Sequence, residues 1–204
     1  MQDTVKQLFD FIAASPCAAH TVETVRRRLL SEGYEERAEG ATGALSDGGK
    51  YFVVRNGTSL IAFRYHKKAR GFLMCASHTD SPSFRVKMNA ESLGAYTRIE
   101  TEPYGGMIYY TWLDRPLSVA GRVFVRTPEG MEERLVNLDC DLLTIPSVAI
   151  HMNRTVNEGY KWNPAVDLLP LCGTAEAKGA FAARLAKEAG ADPSDILAHD
   201  LFLY

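Results

Sequence analysis

The stretch that decides the fold is Cys75-Ala76-Ser77-His78-Thr79-Asp80-Ser81-Pro82, which continues from an apolar run over residues 71–76. A short apolar run that ends in small and turn-forming residues predicts a buried β-strand and its exit loop. His78 and Asp80 lie two residues apart, so their side chains point to the same side of an extended backbone. A histidine beside a carboxylate at the end of a buried strand can form a metal ligand and its orienting acid. The alternative is a polar loop in which Asp80 caps a turn and His78 is merely exposed.

Length and composition limit the classes of protein. The 204 residues can form one large domain or two small ones, and 46% of them are apolar and 24% charged, as in ordinary globular proteins. The net charge of −2 argues against a nucleic-acid partner, since a nucleic-acid-binding protein would carry a basic face. No apolar run is long enough to cross a bilayer, and no signal peptide is evident, so no membrane partner is expected.

The cysteine pattern predicts a compartment. The four cysteines are widely spaced and contain no C-x-x-C pair, which argues against a disulfide framework. We therefore expect a reducing, cytoplasmic location. Cys75 lies in the apolar run and is expected to be a buried free thiol.

The first 80 or so residues predict an α/β arrangement of two helices followed by three strands. Periodicity predicts helices over residues 4–14 and 21–32 and strands over residues 50–54, 59–64 and 71–76. Ser15-Pro16 ends the first helix and Gly33 the second, whereas Asn56-Gly57 predicts a hairpin between the first two strands. His20 could cap the second helix or project toward a site, and we favour the structural role.

The pattern of the chain changes after Pro82. Short alternating β runs at regular spacing, with glycine and proline between them, predict a β sandwich or barrel. The predicted strands cover residues 84–88, 97–101, 117–125, 133–138 and 142–145. We therefore place a domain boundary between about residues 82 and 90.

Three further elements are predicted near the end of the chain. Residues 147–156 are interpreted as a short helix that carries His151, and residues 174–189 as a longer helix that stops at Gly190. Residues 196–204 are interpreted as a strand that reaches the last residue. A strand in that place indicates either a completed sheet edge or a truncated chain.

Several stretches, in the same order along the chain, resemble the aspartyl aminopeptidase family of zinc metallopeptidases. The opening of the chain carries the first similarity, from Phe9-Asp10-Phe11-Ile12 through Ser15-Pro16 and His20 to Gly33-Tyr34. The later similar stretches are Ala76-Ser77-His78-Thr79-Asp80-Ser81-Pro82 with Phe84-Arg85-Val86-Lys87, Tyr104-Gly105-Gly106, residues 111–123, residues 145–158 and Leu168-Leu169-Pro170-Leu171. Long motifs in order are much more specific than an isolated H-x-D.

The resemblance implies a two-domain subunit. Residues 1–84 would be the N-terminal part of a catalytic α/β domain, and residues 85–204 an inserted β-rich, sandwich-like or barrel-like domain that mediates dimerisation. Dimers of the family build a larger tetrahedral assembly, so a homo-oligomer is expected.

The resemblance also implies a function and site residues. The function would be that of a zinc-dependent aminopeptidase that removes acidic N-terminal residues from peptides, with two zinc ions in a complete family site. His78 would be a zinc ligand and Asp80 the acid that orients it. His151 would reach across the dimer and contact substrate in the partner's active site.

The sequence departs from the family in one respect. The family also uses a bridging aspartate in an Arg-Leu-Asp-Asn segment, a Glu-Glu pair, a further aspartate and a late histidine, and no such motifs follow His78 here. Glu132-Glu133 lies in the β-rich part and is interpreted as a solvated turn. Because a catalytic zinc takes about three protein ligands, we expect a C-terminally truncated subunit that is inactive alone. The alternative function is a non-catalytic assembly or dimerisation module.

Overall fold

The computed structural model describes residues 2–204, and for Gln2 the backbone alone. The chain divides into two compact units, the first ending at Ser81 and the second covering Pro82–Tyr204. The helices are α1 (Gln2–Ala13), α2 (Ala18–Ser31), α3 (Pro164–Asp167) and α4 (Ala180–Ala189). The strands are β1 (Glu35–Glu36), β2 (Lys50–Arg55), β3 (Ser59–Arg64), β4 (Ser83–Leu93), β5 (Tyr96–Tyr104), β6 (Val119–Thr127), β7 (Gly130–Asn137), β8 (Leu171–Thr174) and β9 (Ile196–Leu203).

The first unit combines α1 and α2 with a three-stranded sheet in the order β1-β2-β3. The predicted hairpin is confirmed, because β2 and β3 pair antiparallel on either side of Asn56 and Gly57. Both turn residues adopt left-handed backbone angles, with φ of 52° and 67°, which matches the twist of the flanking strands. Val22 of α2 and Phe52 of β2 are buried in this unit.

The two predicted helices of this unit are confirmed, with starts two to three residues earlier than expected. Gly33 ends helix α2, as predicted. It has a φ of 77°, and the Tyr34 N–H donates a hydrogen bond back to the Leu29 carbonyl. The apolar stripe of α1 lies at the surface. Its members Val5, Leu8, Phe9 and Ile12 are 45–64% exposed.

The prediction of a buried strand over residues 71–76 is wrong for the chain as described. These residues pair with no other strand among residues 2–204, and Phe72 and Met74 are 93% and 86% exposed. Cys75, expected to be buried, is also exposed. The reason is that a strand needs backbone partners as well as apolar side chains, and residues 2–204 supply none to this segment.

The second unit is built on six antiparallel strands in the order β7-β6-β9-β4-β5-β8. These strands are paired in one sheet, and the isolated bridges Thr144–Leu171 and Leu117–Leu143 continue the pairing beyond β8. The sandwich or barrel stays a prediction. Helix α4 contributes Phe181 and Leu185 to a core that also contains Ile99, Val123 and Leu201 of the sheet. The helix supplies the second layer that a second sheet would provide in a sandwich.

Several local predictions for the second unit need correction. The segment around His151 is a loop rather than a helix, with turns at residues 150–152. The helix predicted over residues 174–189 begins only at Ala180, because Gly179 takes a left-handed backbone with a φ of 79°. The predicted last strand is confirmed as β9, but it lies between β6 and β4 inside the sheet, not at an edge.

The long helices of this structure are amphipathic. None among residues 2–204 has both the length and the apolar character of a membrane-spanning segment.

Candidate functional site

His78 and Asp80 are in direct contact, as their spacing predicts. The Nδ1 atom of His78 lies 2.9 Å from Oδ1 of Asp80. The imidazole is 90% exposed and the carboxylate 33% exposed. The two residues follow the segment 71–76 in the first unit and belong to no helix or strand.

A hydrogen bond to the β2–β3 hairpin positions this pair. The hydroxyl of Thr79, which stands between the two residues, donates a hydrogen bond of 2.8 Å to the carbonyl oxygen of Thr58. Thr58 lies in the connection that follows Asn56-Gly57. The hairpin therefore holds the backbone at the centre of the His78–Asp80 pair, a contact across 21 residues that no local pattern in the sequence indicates.

The chemistry of the pair selects one form of the imidazole. An ionised carboxylate accepts hydrogen bonds and does not donate them, so the contact with Asp80 places the His78 proton on Nδ1. The lone pair of Nε2 is then available on an exposed ring. This is the arrangement that metal-binding histidines adopt when a carboxylate orients them.

The described residues fit one part of a zinc site and not a whole one. Among residues 2–204 no group of three or more histidine, cysteine, aspartate or glutamate side chains could hold a metal ion. A catalytic zinc takes about three protein ligands, whereas His78 and its orienting acid supply one. Glu132 and Glu133 do not complete the set, because they lie on β7, where they bind Arg134 and Arg122. Their interpretation as a turn is wrong, although both are exposed as expected.

His151 lies in the second unit, in the loop between Ile145 and α3. Its neighbours Val148, Ile150 and Met152 are 54%, 47% and 79% exposed, so the loop presents apolar side chains to the surface. Two hydrogen bonds hold the ends of this loop. The Ser147 N–H donates to Oδ1 of Asp114 at 2.8 Å, and the Tyr110 hydroxyl donates to the Val156 carbonyl at 3.3 Å.

The remaining histidines have structural surroundings. Nδ1 of His20 lies 3.2 Å from Sγ of Cys17 in the first turn of α2. Burial, followed by the charge of Arg27, lowers the pKa of His20. Burial also lowers the pKa of His199, which lies on β9. His66 is exposed, and its Nδ1 atom lies 3.7 Å from Oδ1 of Asp47.

Comparisons with known proteins bear on this geometry. Residues 11–204 match a family model described as Aminopeptidase I zinc metalloprotease (M18). A probable M18 family aminopeptidase 2 of Clostridium acetobutylicum is 44% identical over 210 residues, which cover 98% of this chain and 48% of that protein. Aspartyl aminopeptidase 4 of Saccharomyces cerevisiae is 38% identical over 184 residues, covering 86% of this chain and 38% of that protein. The chain thus spans about half the length, or less, of these curated relatives.

Solved structures are similar along almost the whole chain. A chain in the cryo-EM structure of the Ape4 and Nbr1 complex has a TM-score of 0.88 and 34% identity, covering 95% of this chain and 42% of that one. The mApe1 dodecamer of S. cerevisiae has a TM-score of 0.79 and 25% identity, covering 99% and 48%. The family model, the relatives and these folds agree, and the chain belongs to the M18 family of zinc metallopeptidases.

Proposed function

We propose that this chain is the part of an M18 zinc aminopeptidase that supplies one metal ligand, His78, together with its orienting acid, Asp80. The observation that carries the proposal is the 2.9 Å contact between His78 Nδ1 and Asp80 Oδ1 on an imidazole that is 90% exposed. The contact leaves Nε2 open to a metal ion. The remaining ligands of a two-zinc site would come from outside residues 2–204, and the lack of any group of three or more metal-ligating side chains among these residues supports this.

The two compact units support a division of roles within this function. The first unit would be the N-terminal part of the catalytic domain, up to about residue 84, and residues 85–204 the dimerisation domain. His151 would contact substrate in a partner subunit. The exposed apolar loop around it supports this role, because such a loop can be buried by another chain. The dodecamer formed by the similar S. cerevisiae protein supports a homo-oligomer.

The proposed substrates are peptides, from which the whole protein removes the N-terminal residue. The relative named aspartyl aminopeptidase supports a preference for acidic residues. The four free cysteines support a reducing compartment such as the cytoplasm.

A chimeric enzyme tests the proposal. Residues 1–204 would replace the matching part of the C. acetobutylicum relative, which is 44% identical, and the rest of that protein would be kept. We expect zinc-dependent release of N-terminal residues, with aspartyl and glutamyl chromogenic substrates preferred over leucyl ones. His78→Ala should abolish activity, and Asp80→Asn should reduce activity or zinc affinity about 10- to 100-fold.

His66→Ala provides the matched control, because His66 is another exposed histidine of the first unit next to an aspartate. It should leave activity unchanged. An active His78→Ala chimera would refute the assignment of the ligand. Metal-dependent turnover by the 204-residue chain alone would refute the inference that the other ligands lie elsewhere.

A further inference from the structure

The second unit contains a cavity of about 770 Å³ that the proposed metal site does not involve. Its volume lies within the range of small-molecule sites. The walls come from β5, from the segment around Tyr110 and from the residues between Pro146 and Leu171. Ser147 and Val156, whose backbone groups form the two hydrogen bonds of the His151 loop, also line the cavity.

Aromatic rings form one wall of this cavity. Trp162 packs edge-on against Tyr160 and Tyr110, with ring centroids 4.7 Å and 5.5 Å apart. Apolar side chains such as Leu113 and Val166 complete the lining. An apolar or aromatic group can therefore be buried here with a favourable hydrophobic contribution.

Within the described part of the chain, Arg98 is the one cationic side chain that lines the cavity. It is partly buried on β5, and its guanidinium forms neither an ion pair nor a hydrogen bond with any of residues 2–204. A guanidinium removed from water gains most from a planar, bidentate acceptor such as a carboxylate.

The two carboxylates that line the cavity already accept hydrogen bonds from the protein itself. Asp114 accepts the N–H of Ser147, and Asp167 accepts the N–H of Asn163 at 2.8 Å. Among the described residues, the groups left without a partner are thus donors, the guanidinium of Arg98 and the buried indole N–H of Trp162. The two carboxylates nevertheless lower the local potential, so they disfavour a multiply charged anion such as a phosphate.

We propose that this cavity binds a monocarboxylate with an apolar or aromatic body, its carboxylate paired with Arg98 and its body against the Tyr110–Tyr160–Trp162 wall. The carboxylate would belong to a small free acid or to the C-terminus of a peptide. This site is independent of His78 and of the proposed aminopeptidase activity.

Calorimetric titration of the full 204-residue chain with three matched probes tests the charge requirement. The probes are 3-phenylpropionate, its uncharged amide and 3-phenylpropylamine. We expect saturable binding of the acid and at least about tenfold weaker binding of the amide and amine, since a charge-assisted hydrogen-bonded pair is lost. Equal binding of acid and amide, tighter binding of the amine, or no saturable binding of the acid up to about 10 mM would overturn the proposal.

Two variants test whether Arg98 is the residue that pairs with the carboxylate of the ligand. Arg98→Met keeps the length of the side chain and should weaken binding of the acid about tenfold or more. Arg126→Met, at an exposed arginine on β6 outside the cavity, is the matched control and should leave it unchanged. Circular dichroism checks that both variants fold, and the comparison of acid with amide on the unaltered chain needs no variant. An Arg98→Met variant that is folded and binds the acid as tightly as the unaltered chain would refute the assignment.

The peptide acetyl-Ala-Ala-Phe, with a free C-terminus, separates the two sources of the carboxylate. If the peptide binds at least as tightly as 3-phenylpropionate, and its C-terminal amide does not, the site accepts peptide C-termini. If only the small acid binds, the ligand is a free carboxylic acid. Either result supports the site.

Discussion

Asp114 holds a backbone conformation that aspartate adopts only occasionally, with a φ of 54°. Its carboxylate accepts a hydrogen bond of 2.8 Å from the N–H of Ser147, at the start of the His151 loop. Hydrogen bonding from Ser147 holds the pKa of the Asp114 carboxyl below its usual range. The carboxylate therefore stabilises the start of the loop that carries His151.

The lowered pKa of Asp114 predicts a pH dependence of stability. A carboxyl whose pKa is lower in the folded than in the unfolded chain stabilises the fold while it is ionised, above about pH 4. This contribution is lost as the pH falls through the folded pKa. Since Asp114 is exposed, solvent screening limits the contribution to about 0.5 kcal/mol. Asp114→Asn should therefore lower the free energy of unfolding at pH 7, and the difference from the unaltered chain should shrink at pH 3.

Urea denaturation at several pH values measures this difference. Asp141→Asn, at another exposed aspartate of the second unit, is the control and should show no such difference. A constant gap between Asp114→Asn and the unaltered chain from pH 7 to pH 3 would contradict the linkage.

Gly121 allows β6 and β9 to approach closely. A Cβ atom added at this position would clash with the carbonyl oxygen of Asp200 and lie 2.8 Å from Cα of Leu201. Both contacts are backbone atoms of the central strand β9, which cannot move aside as a flexible side chain could.

Gly121→Ala should therefore destabilise the second unit by about 2 kcal/mol or more. Gly106→Ala is the control, since a Cβ atom there would meet nothing within 4 Å. Chemical denaturation followed by circular dichroism gives both values. Equal stability of the two variants would show that the sheet relaxes around the added methyl group.

At the scale of elements, a side chain distant in sequence begins helix α4. Glu91 of β4 accepts hydrogen bonds from the N–H groups of Gly179 and Ala182, at 2.6 Å and 3.3 Å. These donors belong to the first turn of the helix, where N–H groups lack partners within the helix and negative charge is favourable. The N-cap residue, Gly179, has no side chain that could bond these groups, so no local pattern indicates what caps the start of α4.

Removing this cap should weaken the second unit. Glu91→Ala is expected to lower the free energy of unfolding by about 1–2 kcal/mol, and Glu91→Gln by less because an acceptor oxygen remains. Urea denaturation measures the loss, with Glu129→Ala in the exposed β6–β7 turn as the control. If Glu91→Ala proved as stable as the control, the contacts would contribute nothing to the helix.

At the scale of the whole molecule, the three most exposed large apolar side chains among residues 2–204 lie together in the first unit. Residues 72–74 are 86–105% exposed, and the apolar stripe of α1 is also at the surface. Exposed apolar patches of this kind favour association with another chain or segment.

The chain as given should therefore self-associate. Leu73→Lys should reduce the concentration-dependent mass measured by light scattering, because it replaces an exposed apolar side chain with a charged one. Ala69→Lys adds the same charge nearby without removing a large apolar side chain, and should have a smaller effect. A chain that is strictly monomeric before substitution would contradict this expectation, as it would count against an assembly module.

The sequence by itself determined the local elements and the chemistry of the candidate ligand. Helical spacing predicted α1 and α2, Asn56-Gly57 predicted the hairpin, and the two-residue spacing of His78 and Asp80 predicted their contact. Tertiary structure alone decided that residues 71–76 are exposed, that β9 is a central strand, and that Thr58 and Glu91 support segments far from them in sequence. The physical reason is the distance along the sequence over which each kind of interaction acts. Backbone periodicity and turn chemistry act over a few residues, whereas strand pairing and burial depend on partners that the local sequence does not specify.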